Sequence, residues 1–350
     1  MATNTHPPPA TPSVQIQTLQ TRHGDELSAA MRANDVEILQ TKPAPGAWYL
    51  HRVALSGVAV QHGRLGGPAL ALGAAHPDHV EILIPWPDSA AIHYCGQDMT
   101  GRIAMYAPGS SHQARCDASQ GFTLLSLDTR ALSGRIATLD PDRGPDIPAG
   151  GFSHFALPPT KELALRRNIL QLVARSREAA SDSEPCAAIP ALAEAIVGPV
   201  LETLLRARGV GQRERPEAPA RRATMNRVLE YLAAHRHQPV TVEDLCMAAE
   251  TGLRSLQYAF QDHFSLPPSR FLRYRRLHQA RRLLEGRAAK SVKAAALDSG
   301  FWEFGRFSVE YRRLFGESPS STLQRCLIAH GQGPLRRPRQ AAASAIPQEL

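Results

Sequence analysis

Hydrophobic and polar positions alternate over short runs in the first part of the chain. Val80, Ile82 and Ile84 are apolar at every second position, which is typical of a β-strand with one buried face. Further strand-like runs, bounded by Gly and Pro, lie at 52–60, 91–95, 102–106 and 122–128. Many short strands at this spacing predict an antiparallel sandwich or small barrel, whose interior offers room for a small ligand.

The apolar period changes from strand-like to helical after about residue 158. Leu165, Ile169 and Leu172 lie at helical spacing within a predicted helix at 161–177, and a second helix is predicted at 189–208. Two amphipathic helices after a sheet either cover that sheet or pair with a second subunit, and the sequence leaves both options open. Residues 209–222 combine prolines with many charges, which predicts an exposed linker.

From residue 223 onward the chain is helical and contains an internal repeat. Helices are predicted at 242–249, 253–264, 268–285, 292–299 and 304–315, and a last helix begins near Pro319. The repeat has an offset of 51 residues, and it carries Leu256, Phe260, Phe264, Pro268 and Ser269 onto Phe307, Tyr311, Phe315, Pro319 and Ser320. Each copy reads as a short helix, a tight turn, a second helix and a third helix that starts with Pro. This order predicts two helix-turn-helix units, at 242–264 and 292–315.

The second helix of a helix-turn-helix unit enters the DNA major groove, where Arg can bind guanine and Gln can bind adenine. The side chains that remain outward once the apolar positions face inward are therefore candidate base contacts. In the first unit they are Arg254, Ser255, Gln257, Tyr258 and Gln261, and in the second they are Phe304, Arg306, Ser308, Val309 and Arg312. Candidate phosphate contacts are Thr241, Arg270, Arg273 and Lys293.

The helix between the two units also carries many arginines, some of which are expected to contact phosphates. They are Arg270, Arg273, Arg275, Arg276, Arg281, Arg282 and Arg287. A connector of about 18 helical residues spans roughly 27 Å. Successive major grooves on one face of B-DNA lie roughly 34 Å apart. The spacing predicts that the two reading helices occupy neighbouring grooves.

The positive charge of the chain is concentrated in the same region. Of a net charge of +8, residues 221–330 contribute 18 Lys and Arg against 10 Asp and Glu, whereas residues 1–220 hold 19 against 21. A basic segment of this size indicates a polyanionic partner.

The C-terminal motifs resemble a known family. Residues 300–308, read as GFWEFGRFS and followed by Tyr311, Phe315 and Pro319, resemble the signature of the AraC/XylS family, and residues 269–284 resemble its linker helix. The resemblance covers about residues 223–328. It implies a seven-helix DNA-binding domain that acts on promoters, usually as an activator that contacts RNA polymerase.

The resemblance is fainter in the N-terminal part and imperfect in the C-terminal part. Residues 45–130, with the turn at 107–112, resemble the cupin-like effector-binding domain of one branch of the family. The family's turn Gly in the first unit is Glu250 here, and its usual helix-starting Ser is Gly252. Val309 stands where a basic residue is common, which weakens the expected base reading by the second unit.

The sequence therefore predicts an α+β, multi-domain protein. A disordered lead at 1–20 precedes a β-rich cupin-like regulatory domain at 21–158 and a helical segment at 159–208. The linker at 209–222 leads to the DNA-binding domain at 223–328, and a disordered tail occupies 329–350. Expected partners are double-stranded promoter DNA, RNA polymerase, a small-molecule effector of unknown identity and a second copy of the chain, in a bacterial cytoplasm.

Catalytic and metal chemistry finds little support in the sequence. The motifs of phosphate-binding loops, nucleophile elbows and dinucleotide sites are absent, and five cysteines stand singly. The histidines are dispersed, with only His76 and His79 close together around Pro77 and Asp78, so neither a metal nor another cofactor is expected. The alternative interpretation is a cupin-type metal enzyme or a small-molecule-binding module with a DNA-binding appendage. No run of 18 apolar residues predicts a membrane span.

Overall fold

The computed structural model describes residues 14–31, 36–87, 92–139, 151–181, 188–207, 219–236, 238–286 and 288–329. The chain divides into two compact units after His278. Residues 1–13 of the predicted lead and residues 330–350 of the predicted tail lie outside the described ranges. Within those ranges, no helix is long and apolar enough to cross a membrane.

The first compact unit, residues 1–278, is built around two antiparallel sheets. Its described strands are β1 (Gln15–Thr21), β2 (Glu37–Gln40), β3 (Trp48–Leu55), β4 (Val58–Leu65), β5 (Ala69–Ala74), β6 (His79–Pro85), β7 (Ile92–Tyr94), β8 (Gln97–Asp98), β9 (Ile103–Tyr106), β10 (Ser111–Cys116), β11 (Gln120–Asp128) and β12 (Phe152–Phe155). Seven strands form one sheet in the order β1-β3-β4-β11-β6-β9-β12, and five form the other in the order β2-β5-β10-β7-β8. This sandwich confirms the predicted β-rich fold class of the N-terminal part.

An apolar layer fills the space between the two sheets. Leu50, Leu83 and Leu124 of the seven-stranded sheet share this layer with Ile38 and Ala114 of the five-stranded sheet. Because side chains alternate across a strand, the neighbouring residues of each strand point away from the layer. Val53 and Leu125 lie on the outer face of the seven-stranded sheet and Leu39 and Leu72 on that of the five-stranded sheet, so each outer face needs a cover.

Helices cover the outer face of the seven-stranded sheet. The unit contains α1 (Gly24–Ala30), α2 (Thr129–Leu139), α3 (Pro159–Ser181) and α4 (Ala188–Ala207). Leu165 and Ile169 of α3 and Ile196 of α4 pack with Val53 and Leu125 of the sheet. Of the two roles left open for α3 and α4, the structure shows the covering role.

The first helix-turn-helix unit covers the outer face of the five-stranded sheet. This unit consists of α6 (Val242–Ala248) and α7 (Leu253–Phe264), and it is flanked by α5 (Pro219–Ala234) and α8 (Pro268–Glu285). Leu39, Leu70 and Leu72 of the sheet share one buried cluster with Met225, Phe260 and other residues of these helices.

Buried polar contacts join the same sheet to the helices. Arg275 Nε donates to Glu37 Oε2 at 3.2 Å. His278 Nδ1 lies 2.9 Å from Asp25 Oδ2, and its Nε2 lies 3.0 Å from the carbonyl oxygen of Gln40.

The described part of the second compact unit contains the end of α8 and three further helices, α9 (Val292–Asp298), α10 (Phe304–Phe315) and α11 (Pro319–Ala329). Its core includes Phe307, Tyr311 and Phe315, all on one face of α10. Arg281 is fully buried against this core, with its guanidinium 4.7 Å from the centre of the Phe315 ring. Its Nη2 atom donates to Glu285 at 2.8 Å and to Glu317 at 3.1 Å, so the buried charge is compensated.

Three local predictions are wrong. The lead predicted as disordered to residue 20 contains β1, which starts at Gln15 and pairs antiparallel with β3. The predicted strand at 52–60 is a hairpin, because the chain turns at Gly57, where φ is +75°, between β3 and β4. The linker predicted to extend to residue 222 ends earlier, since α5 begins at Pro219.

Candidate DNA-binding interface

A helix cap and a tight turn position the two helices of the first helix-turn-helix unit. The backbone N–H of Asp244 donates to Thr241 Oγ1 at 3.2 Å, and that of Thr241 donates to Asp244 Oδ2 at 2.8 Å. This reciprocal pair is a capping box, and it fixes the start of α6. The turn to α7 places Glu250 at a φ of +50°, in the left-handed region that Gly adopts most easily. The corresponding turn of the second helix-turn-helix unit, between α9 and α10, contains Gly300, with a φ of +77°.

Helix α7 presents its polar face to solvent. Leu256, Ala259 and Phe260 are buried on its other face. All five side chains predicted to contact bases are exposed, namely Arg254, Ser255, Gln257, Tyr258 and Gln261. The Arg254 guanidinium donates to the Tyr258 hydroxyl at 3.2 and 3.3 Å and lies 5.7 Å from the ring centre. Arg254 and Tyr258 thus form one exposed, charged and aromatic pair on the helix surface.

Helix α10, like α7, has one buried apolar face and one exposed face. Four of its five predicted contacts are exposed, namely Phe304, Arg306, Val309 and Arg312. Ser308 is half-buried, and its hydroxyl donates to the carbonyl of Phe304 at 2.9 Å. This hydroxyl is engaged with its own helix, as is common for Ser within helices.

Arg306 is paired with two carboxylates beside it. Its Nε atom donates to Glu310 at 3.1 Å and its Nη1 atom lies 3.5 Å from Glu303. The hydrogen bond and charge of Glu310, followed by Glu303, raise the pKa of the Arg306 guanidinium. A DNA contact by Arg306 therefore competes with these acidic neighbours.

The residues predicted to contact phosphates are accessible to different degrees. Thr241, Arg270 and Lys293 are exposed, whereas Arg273 is half-buried. Arg270 Nε donates to the hydroxyl of Tyr274 at 3.1 Å.

Two arginines of the connector helix cannot contact phosphates as they stand. Arg275 is buried in the first compact unit, where it pairs with Glu37, and Arg281 is buried in the second compact unit. These two are therefore not among the connector arginines that are accessible for phosphate contacts. Arg287 lies outside the described residues.

Large apolar side chains are exposed beside the polar faces. Trp302 is 77% exposed in the turn before α10, Leu253 is 52% exposed at the start of α7, and Met247 is 71% exposed on α6. None of the three was among the contacts predicted from the sequence, although an apolar side chain at the start of a reading helix is a usable signal. Such groups can contact thymine methyl groups in the major groove.

The sandwich of the first unit contains a cavity of about 560 Å³, its open mouth included. Most of its wall is aliphatic or aromatic, including Ile38, Leu83 and Phe122. The polar side chains in the wall are Glu81, Tyr94, His112 and Gln120. The sequence predicted such an interior.

No cluster of three or more metal-ligating side chains occurs among the described residues. His76 and His79, the pair noted in the sequence, do contact each other, with 2.8 Å between their Nδ1 atoms. Four cysteines in the described part of the chain form no disulfide, namely Cys95, Cys116, Cys246 and Cys326. Cys186 lies outside the described residues.

Comparison with known proteins gives matches over the C-terminal third. A helix-turn-helix domain family matches residues 245–325. The XylDLEGF operon transcriptional activator of Pseudomonas putida is 34% identical over 105 residues, which cover 29% of this chain and 33% of that protein. A probable thc operon regulatory protein of Rhodococcus erythropolis is 36% identical over 108 residues, covering 30% and 32%. The chain thus spans about a third of the length of these relatives.

A solved structure matches the same region. A probable AraC family transcriptional regulator from Rhodopseudomonas palustris CGA009 is 38% identical and covers 29% of this chain and 96% of that one, with a TM-score of 0.27. Helices α5 to α11 supply the seven helices that the resemblance implied. Residues 245–325 of this chain therefore match a helix-turn-helix domain family, and the C-terminal part is similar to the corresponding part of operon regulators.

Proposed function

We propose that the protein is a sequence-specific DNA-binding transcription regulator, which reads two successive major grooves with α7 and α10. The single observation that carries the proposal is the exposed face of α7, where Arg254, Gln257 and Gln261 stand clear of a buried apolar face. These side chains have the hydrogen-bonding patterns that distinguish guanine and adenine. The relatives are named as operon activators or regulatory proteins, so activation of a nearby catabolic operon is the expected output.

The charge distribution supports a DNA partner. Residues 221–330 carry 18 basic against 10 acidic side chains. Phosphate contacts of this kind make affinity fall steeply with salt. RNA polymerase and a second copy of the chain are further proposed partners, and DNA binding of this kind belongs in the bacterial cytoplasm.

The architecture of the five-stranded sheet supports control by a small-molecule effector. Ile38, Ala71 and Ala114 line the cavity on one face of this sheet. Leu39, Leu70 and Leu72 pack against the first helix-turn-helix unit on the other. A molecule bound in the cavity would therefore press on strands that support the DNA-binding helices.

The test is binding of the full chain to DNA selected from a random pool. Arg254→Ala and Gln257→Ala should each weaken specific binding by about 1–3 kcal/mol and relax base preference in one half of the site. Arg306→Ala should affect the other half, or act uniformly if Arg306 contacts phosphate. Arg175→Ala is the matched control, because Arg175 is an exposed arginine on α3, paired with Glu178. Equal effects of all these variants would refute the proposal.

The spacing of the two half-sites tests the two-groove arrangement. Inserting about five base pairs turns one groove to the opposite face of the duplex. Helix α8 is continuous over 18 residues, so affinity should fall towards the nonspecific level. Full tolerance of the insertion would mean that one unit alone reads DNA.

In this role the chain acts as a regulator and has no enzyme activity of its own. A cupin-type metal enzyme with a DNA-binding appendage is the alternative, and metal analysis of the purified protein separates the two. Stoichiometric iron or zinc would favour the alternative.

A further inference from the structure

The hydroxyl of Tyr258 holds one edge of the Arg254 guanidinium on the exposed face of α7. The two residues are one helical turn apart, where side chains meet on a helix surface. The Nε and Nη2 atoms of Arg254 both donate to the Tyr258 hydroxyl, at 3.3 and 3.2 Å. These two atoms form one edge of the planar group, so the edge between Nη1 and Nη2 stays clear of this contact.

The clear edge of Arg254 has the geometry that a guanine requires. Guanine presents two acceptors, N7 and O6, in the major groove, and two parallel N–H groups of an arginine bind both. An arginine side chain loses rotamer freedom when it is fixed at an interface. The Tyr258 hydroxyl removes part of that freedom before DNA binds, so a smaller loss remains on binding.

The ring of Tyr258 has cationic neighbours on two helices. The guanidinium of Arg254 lies 5.7 Å from the ring centre, and that of Arg221 on α5 lies 5.9 Å from it. Cations within about 6 Å of an aromatic ring are attracted to it. Arg221 also donates to Asp262, one turn further along α7. Asp262, Arg221, Tyr258 and Arg254 therefore form a continuous chain of contacts across α5 and α7.

The second helix-turn-helix unit does not repeat this pair. At the repeat offset of 51 residues, Gly305 and Val309 stand in its place. The arginine of α10, Arg306, is held instead by two carboxylates. A carboxylate compensates the charge of an arginine and competes with DNA for its N–H groups. The acceptor that holds Arg254 is a neutral hydroxyl, which leaves the positive charge available to DNA.

We propose that Tyr258 is a positioning residue that presents Arg254 to a guanine and thereby sharpens the base preference of the first unit. Its hydroxyl acts through the guanidinium and does not itself read a base. The inference rests on the proposed function, because it requires α7 to lie in the major groove.

The experiment measures the affinity of the full chain for its selected DNA site and for single-base-pair variants of that site. Arg254→Ala should abolish the preference for one G·C pair, which identifies the base that Arg254 reads. Tyr258→Phe keeps the ring and removes the hydroxyl. It should reduce the preference at the same base pair by about twofold to tenfold, the range expected for fixing one long side chain on binding. Preferences at all other base pairs should stay unchanged.

A double-mutant cycle separates positioning from direct reading. In the Arg254→Ala background, Tyr258→Phe should have no further effect, because the hydroxyl acts only through the guanidinium. The matched control is Tyr274→Phe on α8, since Tyr274 accepts a hydrogen bond from Arg270 at the same spacing. Arg270 is a candidate phosphate contact, so this control should leave every base preference unchanged. An effect of Tyr258→Phe that persists without Arg254 would overturn the proposal.

Thermal unfolding of each variant is recorded in parallel. Tyr258→Phe should leave the unfolding midpoint unchanged, because Tyr258 is 48% exposed and its ring is retained. Loss of base preference in Arg254→Ala without any change in Tyr258→Phe would refute the positioning role alone. A wild-type chain without base preference would refute the proposed function as well.

Discussion

The ion pair between Glu37 and Arg275 offers the sharpest test of how the sandwich supports the first helix-turn-helix unit. Glu37 starts β2, Arg275 lies on α8, and their side chains are 11% and 5% exposed. The Arg275 Nη2 atom also donates to the carbonyl of Leu232 at 2.5 Å and to that of His235 at 3.4 Å. We predict that Glu37→Gln destabilises the attachment of these helices to the sheet.

The size of the destabilisation depends on the hydrogen bonds that Arg275 retains in Glu37→Gln. Removing one partner of a buried pair costs about 3–5 kcal/mol when the other charge is left uncompensated. Here Arg275 retains two carbonyl acceptors, and the side-chain amide that replaces the Glu37 carboxylate can still accept one hydrogen bond. We therefore expect a loss of about 2–3 kcal/mol, below the range for a fully uncompensated charge.

Hydrogen exchange is the suitable assay, because a chain of two units need not unfold in one step. Amides of α8 and of β2 should exchange about 30- to 150-fold faster in Glu37→Gln, since every 1.4 kcal/mol is a factor of ten. The control is Glu178→Gln, whose partner Arg175 and own side chain are each 62% exposed, and it should change protection by less than about threefold. Equal, small effects of the two variants would refute the claim that burial gives this pair its strength.

Three further predictions concern backbone conformation and pH. Gly316→Ala should lower the free energy of unfolding by about 1–2 kcal/mol, because Gly316 has a φ of +74°, which alanine adopts only with strain. No heavy atom lies within 4 Å of the added Cβ, so the loss is conformational and not steric. Glu250→Gly at the strained turn should instead stabilise by up to about 1 kcal/mol, and a loss would contradict the strain argument. Burial lowers the pKa of His51, His112 and His263 to about 4 each. Unfolded histidines titrate near 6.5, so stability is complete above that pH and is lost as the pH falls towards 4. The unfolding midpoint should already fall between about pH 6.5 and 5, and a flat midpoint there would contradict the burial of these rings as neutral groups.

The helices of the C-terminal part could be predicted nearly to the residue because their signals are local. Thr241 and Ser291 cap α6 and α9 with side-chain hydrogen bonds, and Pro268 and Pro319 start α8 and α11. Aromatic residues at helical spacing then define the inner faces. The exposed faces of α7 and α10 followed from the same periodicity.

The strands of the sandwich were harder to predict because their burial depends on distant partners. Strand β10, with the sequence SHQARC, is polar by composition, yet packing on both faces buries His112 and Gln113. Strand β1, QIQTLQT, is polar and lies at the edge of its sheet, so local composition indicated a disordered lead. Arg275 stood among the connector arginines considered for phosphate contacts, and its burial could not be predicted because its partner Glu37 lies 238 residues away in the sequence.

The alternation of two neighbouring residues on β2 links the cavity to the DNA-binding helices. Ile38 lines the cavity, and Leu39, the next residue, packs with the first helix-turn-helix unit. Strands β5 and β10 repeat this division, because Ala71 and Ala114 face the cavity while Leu72 and Gln113 face the helices. A close-packed layer cannot absorb a displacement on one face without moving the other.

Linkage then sets a condition on any effector. A ligand shifts an equilibrium only by the difference in its affinity for two states of the protein. If a compound in the cavity changes DNA affinity by a given factor, DNA must change the affinity for that compound by the same factor. The packed sheet is a candidate physical route for this coupling, and a substitution on its helix side tests whether the coupling passes through it. Leu72→Ala should reduce both factors together, because it loosens the helix side of the sheet while leaving the cavity wall intact.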